Sequence, residues 1–325
     1  MLNEISIEII RKCPNRCLHC SSYSAENCSE IISFKKFKEV ISGAKKLGLQ
    51  TVCFSGGEPF LHPDIVQMIE YVYSVGLNSY VYSSGIYMDA QGRRESIPET
   101  ILKEISKKVT KIIFNIEAAE EVTYDAIMGT QGNFQLMISS IKNAIENDIL
   151  VEGHFVPNKI NKNQIEKTLE LCKKLGVSKV SFLRLVIHGR AIPNREKLLL
   201  SNDELKNVAC VLRKIQAENK HTIRIGVPLL GETQESHCEA ANGKLNIRYD
   251  GLVYPCEVFK NNRVGILEGK APGSIYESRI EDIYTSSDYL KTVRRLVSQF
   301  SCGDCCENCV GQYYMNMLKG ESQND

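Results

Sequence analysis

The sequence predicts an α/β protein on a parallel sheet, followed by a smaller α+β unit. Short β-rich runs alternate with helix-period stretches over roughly the first 190 residues. Six such runs recur at intervals of about 30–40 residues, the spacing of successive βα repeats. Near residue 220 this texture gives way to short strands and loops.

The expected strands are residues 4–10, 50–54, 79–82, 111–115, 150–156 and 179–186. Between them, apolar residues at i, i+3, i+4 and i+7 mark helix faces. Phe37, Val40, Ile41 and Ala44 form one, and Ile65, Met68, Ile69 and Val72 another. Ile138, Ile141 and Ile145 precede the fifth strand, and Ile165, Leu169 and Cys172 the sixth. Right-handed crossovers follow from this order. The alternation does not distinguish an open sheet from a closed or partial barrel. A last helix, carrying Leu205, Val208, Leu212 and Ile215, leads out of the repeats. Short strands are then expected at 223–227, 245–249 and 252–255, with a turn at Asp250-Gly251. A boundary near residue 220 divides the chain into units of 1–220 and 221–325.

Composition narrows the function. The 325 residues balance 40 Lys and Arg against 39 Asp and Glu. Neither nucleic acid nor an anionic membrane is expected as a partner of so neutral a chain. No apolar run approaches the roughly 20 residues of a membrane helix. The start, from Met1 to Glu8, has no basic and apolar signal segment. A cytoplasmic location is expected, and in that reducing compartment the thirteen cysteines do not read as a disulfide framework. Their clustering points to metal or cluster ligation.

The first strand runs into Cys13-Pro-Asn-Arg-Cys17-Leu-His-Cys20. Three thiolates close on one centre if the loop wraps around it. A closed zinc site wants a fourth ligand, and none follows at a usual short spacing, although His19 and Cys28 are available. A cubane cluster normally takes four cysteines. With three, one iron keeps an open position for an outside ligand.

Cys-x3-Cys-x2-Cys after a first strand resembles the signature of the radical S-adenosylmethionine superfamily. The resemblance implies a [4Fe–4S] cluster with an open iron site that chelates S-adenosylmethionine. It also implies cleavage to a 5′-deoxyadenosyl radical, which takes hydrogen from the substrate. His19 stands where the family usually has an aromatic residue. Gly56-Gly57-Glu58-Pro59 follows the second strand as the family's Gly-Gly-Glu-Pro motif does. Its glycines would let the backbone approach the ligand. Further likenesses are Ser83-Ser84-Gly85, Asn115-Ile116-Glu117, Tyr124-Asp125 through Gly132-Asn-Phe134, His154 to Asn158, and Arg184 to Ala191. Together they imply a partial (β/α)6 barrel, with Gly56, Gly57, Glu58, Pro59, Ser83, Asn115 and Arg184 as cofactor contacts.

The C-terminal third repeats the theme. Cys238, Gly251 and Cys256 are followed by Cys302-Gly-Asp-Cys305-Cys306-Glu-Asn-Cys309. This layout resembles the SPASM/twitch extension, which houses auxiliary [4Fe–4S] clusters. No cysteine follows Cys309, so one auxiliary cluster is expected rather than two. Either Cys302 and Cys305 or Cys306 and Cys309 would complete it beside Cys238 and Cys256. A zinc ribbon is the competing reading. Cys53, Cys172 and Cys210 are expected in the core, and Cys28 is a candidate hydrogen donor to a substrate radical.

Three functions fit. The first is modification of a ribosomally made peptide by cross-linking, thioether formation or epimerisation. The second is a dehydrogenase or epimerase of a small molecule such as an aminocyclitol or sugar. Against the first, the barrel is expected to begin at about residue 4, leaving no preceding peptide-recognition module. The third is a non-catalytic iron–sulfur or zinc protein. Both enzyme readings need an electron donor such as flavodoxin or ferredoxin.

Overall fold

The computed structural model describes residues 1–218, 222–226, 229, 238–260, 269–299 and 309–311. The chain opens with β1 (Glu4–Ile10), α1 (Phe34–Lys46), β2 (Thr51–Gly56), α2 (Ile65–Ser74) and β3 (Asn78–Ser83). A small hairpin of β4 (Ile86–Met88) and β5 (Arg94–Ser96) then precedes α3 (Glu99–Ile105) and β6 (Lys111–Asn115). Next come α4 (Glu121–Met128), α5 (Phe134–Glu146), β7 (Val151–Phe155), α6 (Ile165–Leu175) and β8 (Lys179–Phe182). The helices α7 (Arg195–Leu198) and α8 (Asn202–Glu218) lead to β9 (Ile223–Ile225). The remainder holds β10 (Lys244–Ile247), β11 (Val253–Tyr254), α9 (Ile280–Ser286) and α10 (Asp288–Gln299).

One sheet takes nine of these strands, in the order β11-β10-β1-β2-β3-β6-β7-β8-β9. Every pair is parallel except β10 with β11. The strands beyond residue 222 thus extend the same sheet, β9 beside β8 and β10 beside β1.

The register separates two faces. Ile7, Phe54, Val81, Ile112 and Val151 lie side by side and are buried. Phe54 stacks on Phe37 of α1 at 5.5 Å, so this face lies under helices. Each such side chain contributes roughly 1.5–3 kcal/mol of burial. The other face is mostly polar. Ser6, Cys53, Tyr80 and Lys111 share it, as do Asn115, His154, Ser181 and Arg224.

Curvature is legible from charge. Five strand spacings separate β10 from β7, about 24 Å in a flat sheet. Yet Lys244 of β10 helps depress the imidazole of His154 on β7, to about 3, after burial, Arg224 and Lys111. The sheet therefore curls around its polar face, as in a partial barrel.

Periodicity located the helices well. Val208, Leu212 and Ile215 of α8 are buried, as are the four expected residues of both α1 and α2. Cys210 is a correction: it is exposed. Two positions on from Val208 lies about 200° around the helix, which turns Cys210 to the outer face. The sixth strand also stops at Phe182 rather than Val186. Its neighbours end level with it, at Phe155 and Ile225, so the ladder has no further partner.

A buried ion pair ties the C-terminal part to β1. Lys260 (3% exposed) donates to Glu8 Oε1 (residue 2% exposed) and to Ser22 Oγ at 2.8 Å. Ser22 Oγ donates in turn to Glu8 Oε1 at 2.6 Å. Removing one partner strands a buried charge, a loss of about 3–5 kcal/mol, whereas removing both is far milder. Lys260→Met should therefore lower the urea midpoint sharply, and Glu8→Met with Lys260→Met should recover most of it. A double variant no more stable than Lys260→Met would contradict this account.

Candidate functional site

Beyond Ile10 the chain leaves the sheet, and its backbone finds partners in several separate elements. Cys13 N–H donates to Ala25 O at 3.1 Å. The end of α4 accepts from Arg16 N–H (Met128 O, 3.1 Å) and from Leu18 N–H (Ile127 O, 2.8 Å). The end of β2 donates to the loop, through Gly57 N–H to Ile10 O at 2.7 Å and Glu58 N–H to Lys12 O at 2.9 Å. Asn133 Nδ2 donates to Asn15 Oδ1 at 2.7 Å inside the fold.

The segment after β8 completes the clamp. Arg190 N–H reaches Cys20 O at 2.9 Å, Nε reaches Cys17 O at 2.9 Å, and Nη1 reaches Ser24 O at 2.8 Å. Asn194 Nδ2 donates to Leu18 O at 3.3 Å.

Two glycines permit this close approach. A Cβ on Gly57 would lie 2.0 Å from Lys12 O, nearer than any side chain fits. Gly189 has φ +52 and would meet Cys20 O at 2.3 Å. At Gly57 the bare Cα gives room to the loop's own carbonyls.

Cys13 is buried, and Cys17 and Cys20 are half-buried. Burial pushes the Cys13 thiol well up, and the neighbouring Cys17, Glu58 and Cys20 push it further. Cys17 is likewise raised by burial and then by Cys20, with Arg190 opposing. Three neighbouring thiolates, one of them buried, need compensating positive charge, which iron supplies. The soft donor set fits an iron–sulfur cluster. Among the described residues no three His, Cys, Asp or Glu side chains are arranged to hold one metal ion.

The second motif also shapes this region. Glu58 is buried, accepting from Ser83 Oγ at 2.8 Å, Ser84 N–H at 2.8 Å and Ser84 Oγ at 2.6 Å. Burial raises its carboxyl, and these bonds work against the rise. Ser83 Oγ also accepts from Gly85 N–H at 2.9 Å, so its bonding is turned into the turn. Pro59 is buried at the start of a single helical turn, Pro59–Leu61. Asn115 stands half-buried on the polar face beside His154. Arg184 is half-buried just past β8.

The sequence pointed to Glu117 only as part of a motif. It is buried, with Oε1 3.5 Å from His19 Nε2 and Oε2 accepting from Val156 N–H at 3.2 Å. Burial raises its carboxyl to about 8 and lowers His19 to about 4, Arg190 assisting the latter. These shifts favour the neutral form of both near pH 7, so the 3.5 Å approach is a polar contact and not an ion pair.

Cys28 lines a separate cavity of about 580 Å³ with Arg11, Arg16, Tyr23, Glu30 and Arg190. Its thiol lies 3.9 Å from Tyr23 O.

In the C-terminal part, the β10–β11 hairpin turns at Gly251, φ +82. Cys238 precedes it and Cys256 follows, just outside the two strands. Burial raises the Cys256 thiol; Glu257, Cys309 and Cys238 add to the rise, so the three cysteines are neighbours. Cys302, Cys305 and Cys306 lie outside the described residues. The Cys256 turn docks on the repeats through Val258 O, 2.7 Å from His188 Nε2.

Comparison with known proteins now adds names. The family model of the radical SAM superfamily matches residues 7–172. The SPASM model, an iron–sulfur cluster-binding domain, matches 238–310. A PqqA peptide cyclase of Gluconobacter oxydans is 24% identical over 252 residues, covering 77% of this chain and 68% of its own length. Streptococcus suis SuiB bound to S-adenosylmethionine has a similar fold, with TM-score 0.76 and 17% identity over 98% of this chain and 74% of its own. SuiB bound to its precursor peptide SuiA gives TM-score 0.72 at 14% identity, over 90% and 67%.

Gly57→Ala should spare the fold of the repeats but displace residues 10–12. After anaerobic reconstitution it should lack the iron of the first cysteine triplet, and wild-type iron content would refute the close-approach argument. Glu117 gives a pH signature in the metal-free chain. The folded state keeps a proton that the unfolded chain releases above 4.5, so stability falls as pH rises from there to about 8. Glu117→Gln removes that loss. Its advantage in urea midpoint over wild type should grow between about pH 5 and pH 8; a constant difference would rule the buried neutral carboxyl out.

Proposed function

The chain belongs to the radical S-adenosylmethionine superfamily, and from that premise we propose that it modifies a ribosomally made peptide by hydrogen abstraction. The similarity to a PqqA peptide cyclase along 77% of the chain carries this reading. The fold shared with a peptide-bound SuiB is consistent with it. The polar sheet face adds a physical reason, since the half-buried Asn115 and His154 stand side by side on it.

When bound, the cluster and S-adenosylmethionine supply the 5′-deoxyadenosyl radical. Cys13, Cys17 and Cys20 hold that cluster, leaving one iron open. Gly57, Arg190 and Asn194 hold the loop in place. The buried side chains around Cys13 keep water from the thiolates. Asn115 and Arg184, half-buried at the strand ends, are the residues assigned here to cofactor or substrate. Cys238 and Cys256, with Cys302 and Cys305 or Cys306 and Cys309, hold an auxiliary cluster in the unit from 221 to 325, and the nearness of Cys309 to Cys256 favours the second pair. No helix among the described residues is long and apolar enough to cross a membrane. A cytoplasmic enzyme served by a flavodoxin- or ferredoxin-class reductant accords with the reading.

The reconstituted protein, given dithionite and S-adenosylmethionine without oxygen, should form 5′-deoxyadenosine. Cys13→Ser should abolish this, whereas Cys256→Ser should lower iron content and still cleave. A short cysteine-rich peptide encoded beside the gene should lose two hydrogens per cross-link, or take up deuterium from heavy water if epimerised. 5′-Deoxyadenosine formed with every such peptide unchanged would overturn the peptide substrate.

A further inference from the structure

Arg190 has more donors than the loop uses. Nε and Nη1 bind Cys17 O and Ser24 O, yet Nη2 is buried with no partner. Among the described residues no carboxylate pairs with this guanidinium. A guanidinium whose buried end lacks a counter-charge is unfavourable, and so is an unused buried donor such as Nη2. The group that satisfies both is an anion at the cysteine triplet. The guanidinium already stands at the triplet, with Nε 2.9 Å from Cys17 O.

A thiolate-ligated cluster becomes more negative when it takes up an electron. A fixed cation beside it, donating to a sulfur, stabilises the reduced form most and raises the reduction potential. We propose that Arg190 is a positioning residue that sets this potential, its Nη2 donating to a sulfur of the cluster or of Cys17. The proposal rests on the reading of Cys13, Cys17 and Cys20 as cluster ligands. The electron comes from a flavodoxin- or ferredoxin-class carrier, which is oxidised as the cluster is reduced; no bond forms or breaks.

The test is a redox titration of the reconstituted holoprotein, followed by electron paramagnetic resonance. The signal to follow is the one that changes on adding S-adenosylmethionine, which distinguishes the first cluster from the auxiliary one. Arg190→Gln should shift the midpoint to more negative potential, by 59 mV for each tenfold loss in the reduction equilibrium. Arg190→Lys, which keeps a charge but not the planar fork, should shift it less. Asn194→Ala removes a neighbouring loop anchor without changing charge and should leave the midpoint in place.

An unshifted midpoint in fully loaded Arg190→Gln overturns the proposal. So does an equal shift in Asn194→Ala, because loop loosening would then explain both. Loss of the cluster from both Arg190 variants, with Asn194→Ala loaded, reduces Arg190 to a clamp and also overturns it. A wild-type protein with no signal responsive to S-adenosylmethionine sinks the cluster reading itself. The other failures leave that reading standing.

Discussion

Between Ile10 and Ser24, six carbonyl oxygens take donors from elsewhere in the fold, and the rest of the site depends on that arrangement. They belong to Ile10, Lys12, Cys17, Leu18, Cys20 and Ser24. A loop that wraps a cofactor cannot use the ladders of a helix or strand, yet its buried backbone groups still need partners. The donors come from two places, the end of β2 and the segment following β8. In the sheet these lie far apart, so only a curled sheet brings both to one loop. Curvature, loop geometry and thiol placement are therefore one requirement.

The same curvature creates an electrostatic problem on the polar face. Glu4, Glu8, Lys111, Glu152 and Lys244 would each be poorly solvated there alone. They are paired instead: Lys244 with Glu4 at 2.8 Å, Lys111 with Glu152 at 2.9 Å, and Glu8 with Lys260. Pairing leaves a surface rich in hydrogen-bonding groups but low in net charge. Such a surface suits a substrate recognised by its polar backbone better than one recognised by a single charge.

Much of this was legible in the sequence, and the exceptions share a cause. The runs at Glu4–Ile10 and Lys111–Asn115 read to the residue, because alternation and flanking polar residues bound them. Cysteine spacing pointed to the family because it is a local pattern on one loop. The hairpin at Ile86–Met88 and Arg94–Ser96 was missed, being too short to show a period. Its turn rests on Asp89 Oδ1, which accepts from Gln91 and Arg93 N–H. Arg190 lay inside a recognised motif, but its role did not. It acts on carbonyls more than 160 residues away, and carbonyls leave no trace in residue identity. Glu58 is similar, since its acceptors' duty toward Ser83 and Ser84 exists only once β2 and β3 are adjacent.

Lys260 extends this logic to the relation between the two cysteine sites. It lies four residues beyond Cys256, and Ser22, which it touches, lies two beyond Cys20. An apolar contact here would tolerate sliding, because burial is non-directional. A buried ammonium shared between a carboxylate and a hydroxyl has few acceptable positions. The spacing between the thiol loops is thus held by a directional contact near both, and not left to the chain that connects them. For two redox centres that exchange electrons or flank one substrate, a fixed separation is a functional requirement. Among the described residues the Glu8–Ser22–Lys260 contact and the His188–Val258 bond both serve it.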